Sequence, residues 1–223
     1  MPEEMLNELD LDHFREVFSK YTIEAFRKLP KLEKPRILDI GCGSGVPTME
    51  LARLTDGKII GIDIDQESLD RLSRKIEQEG LTDRAKAIKC SLINIKFPDN
   101  SFDIIWAEGS ITSLGVEKSL RGWNRLLKPK GFMVIHDEIK HFFKKREKVA
   151  SCGYKMIEHF SLPEEAWWEE YYRPLEIRVK ELYRKYSNDP AALEMLNIHQ
   201  TEIDIVKASP KSFQSVFCIM QKL

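Results

Sequence analysis

Cysteine is scarce and scattered in this sequence. Cys42, Cys90, Cys152 and Cys218 are the only four, and no two form a C-x-x-C pair. The spacing indicates neither a zinc ribbon nor a disulfide framework. Each thiol is therefore expected to be a small buried apolar group, and free thiols point to a reducing, cytoplasmic setting. Long apolar runs are also missing. No stretch is long enough to cross a bilayer, and the acidic start, MPEEMLNELD, lacks the apolar region of a signal peptide. Net charge is close to zero, with 35 basic against 36 acidic side chains. Neither nucleic acid nor a membrane is then expected as the main partner. The 223 residues hold no low-complexity break, which suits one α/β domain, 1–223, with extensions. No serine-centred triad and no metal-ligand spacing occur, so no metal is expected.

What is present begins with ILDIGCGSGVPT, residues 37–48. Ile37, Leu38 and Ile40 form a short apolar run around Asp39, as in a buried parallel strand. Gly41, Gly43 and Gly45 follow at alternate positions and let a ligand approach the backbone. Pro47 suits the first turn of a helix that continues through Met49, Leu51, Ala52 and Leu54. Strand, glycine turn and helix make the first unit of a nucleotide-binding α/β sheet. The dinucleotide fingerprint G-x-G-x-x-G is not met, because Val46 stands where Gly or Ala should. A nicotinamide-dependent oxidoreductase is disfavoured for that reason.

Upstream, residues 1–35 read as N-terminal helices. Asp10 caps one with Leu11, Phe14, Val17 and Phe18 inward, and a second covers 22–29 with Ile23, Phe26 and Leu29 inward. They pad the sheet or cover the ligand mouth. Downstream, Ile59, Ile60 and Ile62 form a buried strand ending in Asp63, placed to accept hydrogen bonds from ribose hydroxyls. Asp65 reads as the cap of a helix over 66–80. A third strand spans 85–90, a fourth 104–107, then a helix over 123–127 with 128–131 as its exit turn, and a fifth strand over 132–135. Residues 156–162 and 215–221 give the sixth and seventh strands, the seventh at the sheet edge. The basic run 140–148 reads as a solvated helix face, with a nucleic-acid patch as the alternative. Between the last two strands lies a helical insertion, 163–210, carrying Trp167, Trp168, Tyr171 and Tyr172. Those rings either pack the added helices or line a substrate pocket under a lid.

Asp39 to Gly45 resembles the first motif of class I S-adenosylmethionine-dependent methyltransferases. FPDNSFDIIWAEGSI and WNRLLKPKGFMVIHDEI, after IIGIDI, extend the likeness over 37–139 to the small-molecule members of that family. The resemblance implies a Rossmann-like, doubly wound, mostly parallel seven-stranded sheet with an antiparallel edge strand. A cofactor-binding core would span 36–162, and the last strand would lie in 211–223. It further implies that S-adenosyl-L-methionine is the cofactor and that a small molecule accepts the methyl group. Asp39, Gly41, Gly43 and Gly45 would hold the methionine end, and Asp63, with Ile64 beside it, the ribose. Ser91 and Leu92 would hold the adenine; the family often has an acid where Ser91 stands, and a serine should bind less strongly. Glu108 follows the fourth strand, where reacting groups of the family often lie. It accepts a substrate proton or orients the substrate, or else bonds the cofactor or backbone. His136, at the end of the fifth strand, is a second base candidate or a satisfied structural group. A non-catalytic S-adenosylmethionine-binding protein on the same scaffold is the alternative.

Overall fold

A computed structural model describes residues 2–139 and 148–223. The basic run assigned from the sequence to 140–148 therefore lies almost wholly outside the described residues. The chain divides into two compact units. One contains the chain up to Phe18 together with Leu162–Gln214, and the other contains Ser19–Ser161 with Ser215–Leu223. Acidic side chains outnumber basic ones in the first unit and are outnumbered in the second. The balanced total thus conceals two charged parts.

The second unit is the sheet. Its strands are β1 (Arg36–Ile40), β2 (Lys58–Asp63), β3 (Ala85–Lys89), β4 (Phe102–Glu108), β5 (Leu127–Glu138), β6 (Tyr154–Ser161) and β7 (Ser215–Lys222). Their order is β3-β2-β1-β4-β5-β7-β6. β1 to β5 pair in parallel, and β7 runs antiparallel to both β5 and β6. The expected mixed sheet with antiparallel pairing at one edge is therefore present. The seventh strand itself is not at the edge, however. It inserts between β5 and β6, and β6 is outermost. Helix α4 (Val46–Leu54) follows β1 and α5 (Gln66–Gln78) follows β2. The residues from Leu38 and Ile40 through Ile105, Leu120 and Ile135 to Cys218 form one continuous core. None of the four cysteines forms a disulfide, and three are buried.

Several boundaries move. The helix expected over 123–127 is α6, Val116–Asn124, because Ser119 and Leu120 extend its buried face backwards. Residues 128–131, expected as an exit turn, lie within β5, opposite a register shift between Phe102 and Ile104. On α3 (Ser19–Arg27) the buried positions are Thr22 and Ala25, while Ile23 and Phe26, and Leu29 beyond the helix end, are half-buried. A polar threonine at the centre of that face has a partner, described below.

The first unit is helical: α1 (Pro2–Leu9), α2 (Leu11–Glu16), α8 (Arg173–Lys185) and α9 (Pro190–Ala208), with a π-helical turn at Trp167–Tyr172. The short α7 (Lys148–Ser151) belongs to the sheet unit. Asp10 caps α2 and Asp189 caps α9, the latter accepting from Ala191 and Ala192 N–H at 3.1 Å. Trp167, Tyr171 and Tyr172 pack among themselves, Trp167 and Tyr171 also meet the N-terminal helices, and Lys207 lies over Trp168. Trp167 stacks on Phe18 at 4.4 Å between centroids, and Tyr171 meets Phe14 edge-on at 6.5 Å. Within this unit Tyr172 belongs to the core, and Trp167, Trp168 and Tyr171 pack half-buried against it.

Glu176 on α8 ties α8 to α9. It accepts from Lys180 at 2.8 Å and from Lys207 at 2.9 Å. The Lys180 hydrogen bond, with help from Lys207, holds the carboxyl below its ordinary range despite the opposing effect of burial. A carboxyl with a lowered folded pKa stabilises above the ordinary carboxylate range, and that contribution disappears as pH falls through the lowered value. Urea midpoints of wild type and Glu176→Gln should therefore differ at pH 7 and converge towards pH 3. A gap that stays constant with pH would contradict the ion-pair origin.

Candidate functional site

The strand order reverses between β1 and β4, with β2 and β3 on one side and β5 on the other. In open α/β sheets ligands bind beyond the C-terminal ends of strands at such a point. The glycine turn leaves β1 there. Gly41 N–H and Cys42 N–H both donate to Ile62 O, at 2.8 and 3.0 Å, so the turn is folded down onto the end of β2. Asp63 completes the tie. Its Oδ2 accepts from Gly43 N–H at 2.9 Å, and its Oδ1 accepts from Ile64 and Asp65 N–H at 2.7 and 3.0 Å. Asp65 caps α5 through Glu67 and Ser68 N–H, as expected from the sequence. Its hydrogen bond with Ser68 leads the contacts that lower its pKa.

The glycines divide by environment. A Cβ built on Gly41 would lie 2.4 Å from Ser110 Cβ, and one on Gly45 would lie 2.2 Å from Leu72 Cδ1. Gly43 has φ +51°, and nothing stands within 4 Å of the same built atom. Its bare backbone borders open space beside the Asp63 carboxylate. Ile64, 66% exposed, follows directly. Asp39 is buried beneath the turn, and Thr48 Oγ1 on α4 donates to its Oδ2 at 2.5 Å. The Cys42 thiol is pushed up in pKa by burial first and by Asp39 and Asp63 next, which makes it a poor nucleophile.

Ser91 and Leu92 follow β3. Cys90 N–H donates to Asp63 O at 2.8 Å, which ties this loop to β2. Ser91 Oγ accepts from Ile93 N–H at 3.4 Å, and Leu92 O accepts from Trp123 Nε1 at 3.3 Å.

Glu108 and His136 are register partners on β4 and β5. Their side chains meet, with Glu108 Oε2 3.5 Å from His136 Nδ1 and each side chain only 3% exposed. Glu108 Oε1 accepts from Trp106 Nε1 and Thr22 Oγ1, both at 2.8 Å. His136 Nε2 lies 2.8 Å from Ser215 Oγ, and its ring stacks on Phe217 with centroids 4.2 Å apart. The direction of the Ser215–His136 hydrogen bond follows the His136 tautomer. The sequence placed Glu108 and His136 singly at strand ends. It missed Trp106, Thr22 and Ser215 as their partners; the available signal was a threonine at the centre of an apolar helix face. Among the described residues no group of three or more His, Cys, Asp or Glu side chains is arranged to hold a metal ion.

Residues 37–131 match a family model described as a methyltransferase domain. A sterol 24-C-methyltransferase of Aspergillus fumigatus is 33% identical over 106 residues, 47% of this chain and 28% of that protein. The chain thus matches well under half the length of that curated relative. In structure, the chain is similar to the cyclase SpnF, with TM-score 0.74, 18% identity, and 92% of this chain and 80% of that chain covered. It is also similar to phosphoethanolamine N-methyltransferase 2 of Haemonchus contortus, solved in complex with S-adenosyl-L-methionine. There the TM-score is 0.69, with 17% identity, and 91% of this chain and 52% of that chain are covered. At such identities these likenesses establish the Rossmann-like fold alone.

Proposed function

We propose that this chain, whose residues 37–131 match a methyltransferase domain, is a class I S-adenosylmethionine-dependent methyltransferase that moves a methyl group to a small-molecule acceptor by direct in-line transfer. One observation carries this reading. The backbone of Gly43 borders open space beside the Asp63 carboxylate, at the point where the strand order reverses. Gly41 and Gly45 are filled against by neighbouring side chains, whereas Gly43 is left bare, as a backbone approached by a ligand requires.

The residues present fit the cofactor. Asp63 keeps acceptor capacity for ribose hydroxyls beyond the three N–H groups it already holds, since an ionised carboxylate offers about four lone-pair sites. Ile64 offers an exposed apolar surface to a flat ring. Ser91 and Leu92, held to β2 through Cys90, would take the adenine edge, and Asp39 with the glycine turn the methionine end. When bound, S-adenosyl-L-methionine supplies a methyl group on a positively charged sulfur. The chain must then align an acceptor with that bond and keep water away. No covalent enzyme intermediate is needed.

Glu108 and His136 are assigned to the acceptor side. The pair is almost wholly buried and is bonded to Trp106, Thr22 and Ser215. That supports a role in fixing the acceptor's seat over a role as a freely accessible base. The likeness of the fold to a cyclase favours one second reading, in which the scaffold binds the cofactor without transferring its methyl group.

Calorimetry tests the assignment. S-adenosyl-L-homocysteine should bind and raise the unfolding temperature, and NADH should do neither. Asp63→Ala should weaken that binding at least tenfold, since a hydrogen bond to a charged group contributes roughly 1.5–3 kcal/mol. It should also lower stability, because three backbone N–H groups lose their acceptor. Asp65→Ala, which removes only a helix cap, should affect binding much less. NADH binding without S-adenosyl-L-homocysteine binding overturns the reading. Cofactor binding with no methylation of alcohol, amine, thiol or carbon acceptors selects the second reading.

A further inference from the structure

Parallel strands are ordinarily covered on both faces. The N-terminal ends of β1, β2 and β3 break that rule on one face, because the connection from β3 to β4 contains no helix. Arg36 is in register with Lys58, and Ile60 with Lys86. Side chains alternate along a strand, so Lys58 and Ile60 share a face, and the register puts Arg36 and Lys86 on it with them. All three cations are exposed. With Arg84, Asp83 and Phe102 they line a cavity of about 170 Å³.

The cations have little to neutralise them. Arg84 is anchored, with Nη1 donating to Ala52 O at 3.2 Å and Thr55 O at 2.7 Å. The Arg36 guanidinium lies over the Phe102 ring, 5.5 Å from its centroid. Asp103 accepts from Arg36 only at the backbone N–H, and its carboxylate is held by Lys128 at 2.8 Å. Among the described residues, Arg36, Lys58 and Lys86 have no acidic partner within 4.0 Å. Asp83 is the single acid on the cavity wall. Like charges in register on neighbouring strands repel one another. Protection of an edge strand explains a lysine on β3, but Arg36 and Lys58 stand on interior strands, where no edge needs protecting.

We propose that this corner binds a small anion bearing phosphate, at the opposite end of the strands from Asp39, Gly43 and Asp63. Two or more negative charges would relieve the repulsion, and a guanidinium fork suits phosphate oxygens. The cavity takes the phosphate itself and leaves any attached group in solvent. The ligand is either inorganic pyrophosphate or a phosphate ester, since both present the same chemistry.

The test is calorimetry of the full chain at constant ionic strength, with inorganic pyrophosphate and, separately, fructose 1,6-bisphosphate. Binding of S-adenosyl-L-homocysteine serves as the control. Saturable phosphate binding is expected, weakened roughly tenfold or more by Lys58→Gln and lost in the R36Q/K58Q/K86Q variant. The variant should keep its circular dichroism and its affinity for the control. Tighter binding of the ester identifies an ester as the ligand, and tighter pyrophosphate binding identifies the inorganic anion. The proposal is overturned by an absence of saturable heat, by unchanged phosphate affinity in the triple variant, or by binding of a single-stranded oligonucleotide alone. It does not depend on methyl transfer, so failure of the control with phosphate binding intact counts against the methyltransferase reading only.

Discussion

Glu108→Ala is expected to cost about 3–5 kcal/mol of stability, read as a shift of the urea unfolding curve. The substitution leaves the Trp106 indole N–H, the Thr22 hydroxyl and His136 Nδ1 without their shared acceptor. These groups lie in the interior, where each donor left without its acceptor carries a desolvation penalty of about 1–3 kcal/mol. A domain's whole stability is about 5–15 kcal/mol, so this one truncation should leave the sheet unit marginal. Glu108→Gln keeps one acceptor oxygen and should cost less, about 1–2 kcal/mol. Affinity for S-adenosyl-L-homocysteine should survive Glu108→Gln, because Glu108 is assigned to the acceptor side. A loss below about 1 kcal/mol for Glu108→Ala would show that the network adds nothing to the fold.

Gly41→Ala and Gly43→Ala should part company. At Gly41 the new methyl group would meet Ser110 Cβ at 2.4 Å, and φ is +73°. Ser110 has little room to yield, since it is buried and its hydroxyl donates to Ile40 O at 2.6 Å. Left-handed backbone costs roughly 1–2 kcal/mol for an ordinary residue and overpacking roughly 1–3, so Gly41→Ala should lose about 2–5 kcal/mol. At Gly43 only the backbone cost applies, about 1–2 kcal/mol, because the space beside it is open. Cofactor affinity should nevertheless fall at least tenfold there, as the methyl group would occupy the ligand's approach. Thermal unfolding and calorimetry on the two variants separate the effects. A Gly43→Ala protein with wild-type cofactor affinity would remove the main support for the site.

The parts read correctly from the sequence are those whose cause is local. The run from Ile37 to Thr48 carries its own strand, turn and helix signals, and Asp10 and Asp65 announce helix starts within three residues of the groups they cap. Asp63 was placed at a strand end by the apolar run before it. Its second task, holding the glycine turn through Gly43, requires knowing that β1 lies beside β2. Glu108 and His136 were each found at a strand end, yet their contact depends on the β4–β5 register across 28 positions of sequence. Thr22 and Ser215 come from further still, 86 and 79 positions from their partners. The corner of Arg36, Lys58 and Lys86 is invisible in a net charge of -1 for the same reason. Three strands must be laid side by side before those cations become neighbours.

The position of β7 has a consequence for synthesis. β6 is the outermost strand, and it touches the rest of the sheet only through β7. During translation β6 leaves the ribosome first, and all of Leu162–Gln214 must follow before its partner exists. Until then the strand has unpaired N–H and C=O groups along both sides, a state prone to pairing with other chains. The intervening helices cannot simply wait either, because their unit also draws on residues before Phe18. Completion of the sheet and closure of the helical unit are therefore both late events, dominated by contacts distant in sequence, which slow folding. A chain stalled between Ser161 and Ser215 would present a bare edge, and chaperone capture should concentrate on that window.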